Sequence, residues 1–116
     1  MTPCIIYYTI RNMTTITDIE TTDLYDKWYD RLKDQRAISR IDMRIARVAE
    51  TGNFGDAHSV GFEVSEMRID YGPGYRVYYT IMGKTVVILL AGGIKTGQQK
   101  DIQAAQAMAK ELRGKK

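Results

Sequence analysis

The fold is decided by the stretch from Val60 to Gln98, VGFEVSEMRIDYGPGYRVYYTIMGKTVVILLAGGIKTGQ. It reads as three consecutive strands. Met67, Ile69, Val77, Tyr79 and Ile81 fall at odd positions and make an apolar face. Glu66, Arg68, Arg76, Tyr78 and Thr80 fall at even positions and make a polar one. Successive strand residues point to opposite faces, so the pattern gathers two arginines, a carboxylate and a tyrosine on one wall. Tyr71-Gly72-Pro73-Gly74 is turn chemistry, because proline presets φ and the glycines supply positive φ. Val86-Val87-Ile88-Leu89-Leu90 has no alternation, as expected of a strand buried on both faces.

Outward from this sheet, the N-terminal half reads as helical. Thr22-Asp23 pairs a hydroxyl cap with an acidic first turn, and Leu24, Trp28 and Leu32 then recur along one face. Trp28 belongs to the core on this reading. A second helix is expected over about 36–50, with Ile38, Ile41, Ile45 and Val48 as its buried stripe and Gly52 near its C-cap. Arg36, Arg40, Arg44 and Arg47 line another side of it. Both a solvated face and a cationic rail for phosphate or an acidic partner fit that spacing. Residues 53–58 read as a loop, which sets the single histidine, His58, apart from the polar wall and in a non-catalytic place. A last helix over about 96–113 buries Ile102, Ala105, Met108, Ala109 and Leu112. Residues 4–10 are strand-like and are expected to pair with a sheet edge, with a second extended piece at about 15–20.

Length and composition restrict the function classes. A chain of 116 residues suits one domain spanning 1–116. Its 44% apolar and 27% charged content is that of an ordinary soluble domain, and no run approaches the ~18 apolar residues of a membrane span. The N-terminus lacks the pattern of a signal peptide, and the single Cys4 suits a reducing cytosol. One histidine and one cysteine argue against a zinc site, which takes about four such ligands. No metal or other cofactor is expected. Net charge is +3, and it is unevenly spread: Lys27–Arg47 holds seven basic residues against three acidic, while the first twenty-six residues hold only Arg11. Such asymmetry suits an anionic partner, nucleic acid foremost, and plain solubility fits it equally.

There is no G-x-S-x-G, no H-E-x-x-H, and no carboxylate cluster suited to magnesium. The remaining chemistry is Arg68, Arg76, Glu66, Tyr78 and Lys95, a set able to clamp a phosphate and stabilise charge developing on it. RNA brings its own nucleophile in the 2′-hydroxyl, so an enzyme cutting it needs no metal. Glu66 is the candidate base, and Lys95 or Tyr78 the candidate proton donor. An ion-pair set that serves only solubility fits the same residues. On the catalytic reading Arg76 points to the solvated face, and its removal leaves the fold intact.

The blocks WYDRLKDQRA, RIxRVxxGNFGD, VSEMRIDYGPGYRVYY and LLAGGIKTGQQKDI carry a resemblance, in this order and over about 20–112. They are similar to the addiction-module killer proteins, the Gp49/HigB-like branch of the RelE/ParE toxin superfamily. The resemblance implies an α+β RelE-like fold: a small, twisted, mainly antiparallel sheet with two N-terminal helices packed on it and a C-terminal helix. It implies a cytoplasmic toxin of a type II toxin–antitoxin system, a ribosome-dependent, metal-independent mRNA endonuclease. The implied partners are a cognate helix-turn-helix antitoxin, the ribosome and mRNA, with operator DNA reached only through the antitoxin. A ParE-like gyrase poison and a non-catalytic module that binds DNA with its antitoxin are the rival readings. Arg76 matches the arginine of the G-Y-R-[LV]-x-Y strand and Arg68 the basic residue of the strand before it. Lys95 matches the lysine of a G-G-D-K motif in which Ile94 here replaces the aspartate. Residues 1–14 have no counterpart in the resemblance.

Overall fold

A computed structural model describes residues 18–83 and 85–114. The expected strand over 4–10 and the unmatched segment 1–14 lie outside these residues. The elements run β1 (Asp18–Thr21), α1 (Asp23–Asp30), α2 (Gln35–Thr51), β2 (Ala57–Gly61), β3 (Val64–Ile69), β4 (Tyr75–Met82), β5 (Val86–Ile94) and α3 (Gln98–Gly114). The five strands form one sheet in the order β1-β5-β4-β3-β2. β1 runs parallel to β5, and every other pairing is antiparallel.

The helix ends follow the sequence signals. Thr22 Oγ1 accepts the Tyr25 N–H at 3.1 Å, while its own hydroxyl donates to Leu90 O at 2.7 Å, fixing the start of α1 to β5. Asp34 caps α2 by accepting from the N–H groups of Arg36 and Ala37. Gly52 ends α2 in the left-handed conformation, φ 75°, and its N–H donates to Val48 O at 2.8 Å.

The alternation in β3 and β4 sorts the layers. Met67, Ile69, Val77 and Tyr79 join Val87 and Leu89 on one face, where Tyr25 of α1 and Ala37, Ile41 and Val48 of α2 bury them. On the other face Val64, Tyr78, Ile88, Leu90 and Ala91 pack against Ala105 and Ala109 of α3. A register shift between Tyr78 and Tyr79 lets Leu90 and Ala91 share the α3 face. The expectation of a loop over 53–58 needs correction: residues 57 and 58 begin β2, which hairpins back onto β3. Phe62 and Glu63, at φ 55° and 63°, form the two-residue connection of that hairpin. Gly-Asn type turn residues are absent there, so the signal for a hairpin is missing from the sequence.

Candidate active site

Strand register assembles the polar wall. Glu66 lies opposite Tyr78, and Arg68 lies opposite Arg76, so all four side chains rise from the face that carries α3. Glu66 is 1% exposed and sits between the two arginines. Its Oε2 accepts from Arg68 Nε at 2.7 Å, and its Oε1 lies 3.8 Å from Arg76 Nε. One carboxylate therefore holds two guanidiniums by their inner nitrogens. The hydrogen bond to Glu66 raises the Arg68 pKa further above its ordinary value.

The wall is not open to solvent as the sequence suggested. Arg76 is 8% exposed and Tyr78 0%, because α3 lies across this face. The arginine therefore cannot be removed without consequence for the fold, since Glu66 would keep its charge in a buried place with one partner fewer. Glu66 Oε1, Arg76 Nε and the Tyr78 hydroxyl are buried with no hydrogen-bond partner. Burial, with the charges of Glu66 and Asp101 adding to it, pushes the Tyr78 phenol up to about 12. A phenol this buried and this weakly acidic is poorly suited to donate a proton to RNA. Arg68 is the accessible member, its side chain 40% exposed.

Lys95 belongs to the same end of the sheet. Its N–H donates to Gly74 O at 2.8 Å, closing the turn against the end of β5. A Cβ at Gly74 would meet Lys95 Cβ at 3.3 Å and Arg76 Nη1 at 3.9 Å, so lysine and arginine flank one glycine. Gly74 has φ 82°, which its lack of a side chain permits. Ile94, where the resemblance anticipates an aspartate, is packed into the core beneath α1 and α2.

His58 is the residue that the loop expectation misplaced. It pairs with Glu66 across β2 and β3, so it stands on the same face as the wall. Its Nε2 lies 2.8 Å from Asp56 Oδ1, and half of its side chain is exposed. The Asp56 carbonyl accepts the Arg68 N–H at 2.9 Å, which ties this dyad to β3. Only the strand register brings His58 to Glu66, and no spacing rule in the sequence reports register.

Asp101, in the first turn of α3, is a second addition. A side chain at Gly93 would collide with the Asp101 carboxyl, and Gly93 pairs with Arg76 across β4 and β5. Burial raises the Asp101 pKa, with Lys100 opposing it. On the opposite face, a side chain at Gly92 would collide with the indole of Trp28. The glycine pair thus admits a carboxylate on one face and a tryptophan on the other.

The four arginines of α2 have unequal positions. Arg36, Arg40, Arg44 and Arg47 border an open groove of about 660 Å³ with Met43, Ile69 and Asp70. Arg44 is tied to the backbone: Nη1 donates to Arg68 O at 2.5 Å and Nη2 to Phe54 O at 2.8 Å. Burial lowers its pKa from the ordinary arginine value. Arg40 lies over the Tyr71 ring, 4.8 Å from its centre. Because α2 covers the apolar face of β3 and β4, this rail and the wall belong to opposite faces of the sheet.

Among the described residues no group of three or more metal-donor side chains converges, and no helix is long and apolar enough to cross a membrane. No family model matches the chain. An uncharacterized protein of Haemophilus influenzae is 48% identical over 94 residues, which is 81% of this chain and 94% of that protein. Among solved structures, a mutant of Escherichia coli toxin RelE in the free state aligns with a TM-score of 0.61 at 17% identity, covering 75% of this chain and 90% of that one. A chain of the intact Escherichia coli RelBE toxin–antitoxin complex aligns with a TM-score of 0.56, also at 17% identity, covering 66% of this chain and 93% of that one. With five strands, two helices on one face and a third across the other, the chain has the RelE fold, and it belongs to one family with the Haemophilus influenzae protein.

Proposed function

We propose that the protein is the toxin of a type II toxin–antitoxin pair and a metal-independent endoribonuclease that cuts mRNA on the ribosome. Support comes from the fold shared with Escherichia coli toxin RelE and with a chain of the RelBE toxin–antitoxin complex. The observation that carries the reading is Glu66, whose two oxygens face the inner nitrogens of Arg68 and Arg76. That arrangement sets two guanidiniums side by side on one face, Arg68 accessible and Arg76 nearly buried beneath α3, a pair whose forks suit a phosphate. Lys95, beside Gly74, adds a third cation at the rim.

In this mechanism Glu66 is a positioning residue, not the base, because it is 1% exposed and engaged by both arginines. Proton transfer falls to His58, which is exposed, on the same face, and held by Asp56. Neutral imidazole takes the proton of the 2′-hydroxyl as its oxygen attacks the adjacent phosphorus. The bond from phosphorus to the 5′-oxygen breaks, and the leaving oxygen takes a proton from water. Products are a 2′,3′-cyclic phosphate and a 5′-hydroxyl. Arg76 and Arg68 stabilise the charge that gathers on the phosphate oxygens. The Arg36, Arg40 and Arg47 rail, on the other face, contacts ribosomal RNA or an acidic stretch of a helix-turn-helix antitoxin, through which the pair reaches operator DNA.

The test is primer extension on mRNA from cells expressing the wild type and the folded variants Arg76→Lys and His58→Gln. Wild type should arrest growth and cut mRNA. His58→Gln should cut about 100-fold more slowly or less. Arg76→Lys should also fail, because an ammonium does not reproduce the two-pronged grip. Unimpaired cutting by the folded Arg76→Lys protein would sink the phosphate clamp. Growth arrest without cleavage, with gyrase trapped on DNA, would replace the nuclease by the ParE-like reading.

A further inference from the structure

The tip of the hairpin between β2 and β3 is strained. Gly61, Phe62 and Glu63 have φ of 94°, 55° and 63°, three consecutive residues in the left-handed region with one glycine among them. A two-residue connection of this kind ordinarily takes asparagine and glycine, and a phenylalanine there costs stability. The surrounding chain holds the tip in place. Thr80 Oγ1 donates to Glu63 O at 2.7 Å, Gln106 Nε2 donates to Val60 O at 2.8 Å, and Arg113 Nη2 pairs with Glu63 Oε1 at 3.0 Å. Phe62 itself is 61% exposed, so the strained backbone presents an aromatic ring to solvent. Burial does not repay that strain, which points to a working position.

We infer that Phe62 is a stacking platform for a base of the RNA strand held at the arginine clamp. Lys110 Nζ of α3 lies over the ring, 4.3 Å from its centre, so one face carries a cation and the other is left for a planar partner. The same contact sets Phe62 on the side of the sheet that carries α3, which is the side of the wall. Along the hairpin Phe62 stands four residues from both His58 and Glu66, which pair across β2 and β3. Four residues of chain reach at most about 14 Å, a distance that an extended RNA strand crosses in a few nucleotides. A strand with a phosphate at Arg68 and a ribose at His58 therefore brings a neighbouring base to the tip. The groups around the ring, Lys110, Glu63 and Arg113, are charged, which suits a nucleic-acid strand better than an apolar protein surface. Every base has a flat face, so the contact adds affinity without choosing among bases. The inference rests on the reading of the protein as a ribonuclease, which supplies the RNA.

The probe is a short labelled RNA oligonucleotide with fluorine in place of every 2′-hydroxyl, which removes the nucleophile, beside a matched oligonucleotide that lacks its bases. Each is titrated with the full-length protein and followed by fluorescence anisotropy. Phe62→Ala should weaken the base-bearing oligonucleotide about tenfold or more, the range of one base–aromatic stack, and leave the abasic one unchanged. Phe62→Leu, apolar but without a π face, should fail in the same way, while Phe62→Trp should bind as tightly as the wild type or more so. Arg68→Gln should weaken both oligonucleotides and flatten the salt dependence. Thermal melts confirm that each variant is folded. Phe62→Gly, which adopts the left-handed φ freely, should melt no lower than the wild type and repeats the test if Phe62→Ala is unstable.

Equal losses for the two oligonucleotides in the folded variants, or no loss for either, would overturn the platform. Full affinity in Phe62→Leu, or no binding of the base-bearing oligonucleotide by the wild type, would do the same. The titration needs no turnover, so the two readings fail separately. A wild type that binds the bases through Phe62 but cuts no mRNA keeps the platform and loses the nuclease. A wild type that cuts mRNA, beside a Phe62→Ala variant that binds both oligonucleotides as the wild type does, keeps the nuclease and loses the platform.

Discussion

The two faces of the sheet are built on different terms. Under α1 and α2, Met67, Ile69, Val77, Tyr79, Val87 and Leu89 are buried in one apolar and aromatic cluster, and that face is sealed. Under α3, Val64, Leu90, Ala105 and Ala109 seal one part in the same manner, but Glu66, Arg76 and Tyr78 are buried beside them with polar atoms unpartnered. Unpartnered polar atoms in a packed layer lower stability, and a fold meets this mainly where function demands it. The first face holds the molecule together. The second gives up some stability to keep two arginines in one orientation.

The sharpest way to break this contrast is Arg76→Ala. It should slow RNA cleavage about 10²–10³-fold. It should also destabilise the fold by about 3 kcal/mol, because Glu66 is left buried beside Arg68 alone. A denaturant melt beside the cleavage assay separates the two losses, and an unchanged melt would mean that the Glu66–Arg76 pair contributes nothing to folding.

Met67→Ala is its counterpart on the sealed face. Met67 is 1% exposed, so truncation should destabilise by about 2–5 kcal/mol. Cleavage per folded molecule should stay near the wild-type rate at a temperature where the variant is native. A specific loss of activity there would show that the faces are not independent.

Alkaline titration compares the faces through their tyrosines. Burial raises the phenols of Tyr25 on the sealed face and Tyr78 beneath α3, the latter to about 12 from an ordinary value of 10. Above pH ~10 the unfolded chain releases these protons while the folded one keeps them, so stability falls as pH rises. Two units correspond to roughly 2–3 kcal/mol for Tyr78. Tyr78→Phe should remove that share of the loss and carry little penalty at neutral pH, because the hydroxyl has no partner to lose. Melting temperatures between pH 8 and pH 12 read both effects.

The smallest effects separate the arginines of α2. Arg44→Ala should destabilise by about 1–3 kcal/mol, since the Arg68 and Phe54 carbonyls lose their donor. Arg36→Ala should change stability by no more than about 0.5 kcal/mol. Equal melts for the two variants would remove the distinction between a structural arginine and a free one.

Much of this was legible in the chain. Alternation over Glu66–Ile69 and Arg76–Thr80 assigns each side chain to a face, because strand geometry is local. Thr22 and Gly52 mark helix ends through bonds that span no more than four residues, and Ile41 and Val48 show the buried stripe of α2 for the same reason. The turn at Gly72 and Gly74 announces its own positive φ.

Contacts between segments far apart in sequence were beyond that reach. His58 stands opposite Glu66 because β2 pairs with β3 in one register, and a shift by one residue would turn it to the other face. Asp101 reaches Gly93 because α3 crosses the sheet at that height, which neither segment encodes alone. The arginines of α2 share one spacing, yet only Arg44 meets carbonyls from β3 and from the loop before β2. The sequence by itself determined the three helices, strands β3 to β5 and the polar wall, though not β2, since hydrogen bonding and side-chain alternation act over a few positions. Tertiary packing alone decided that α3 would bury Glu66, Arg76 and Tyr78, because burial depends on what the rest of the chain lays over a surface.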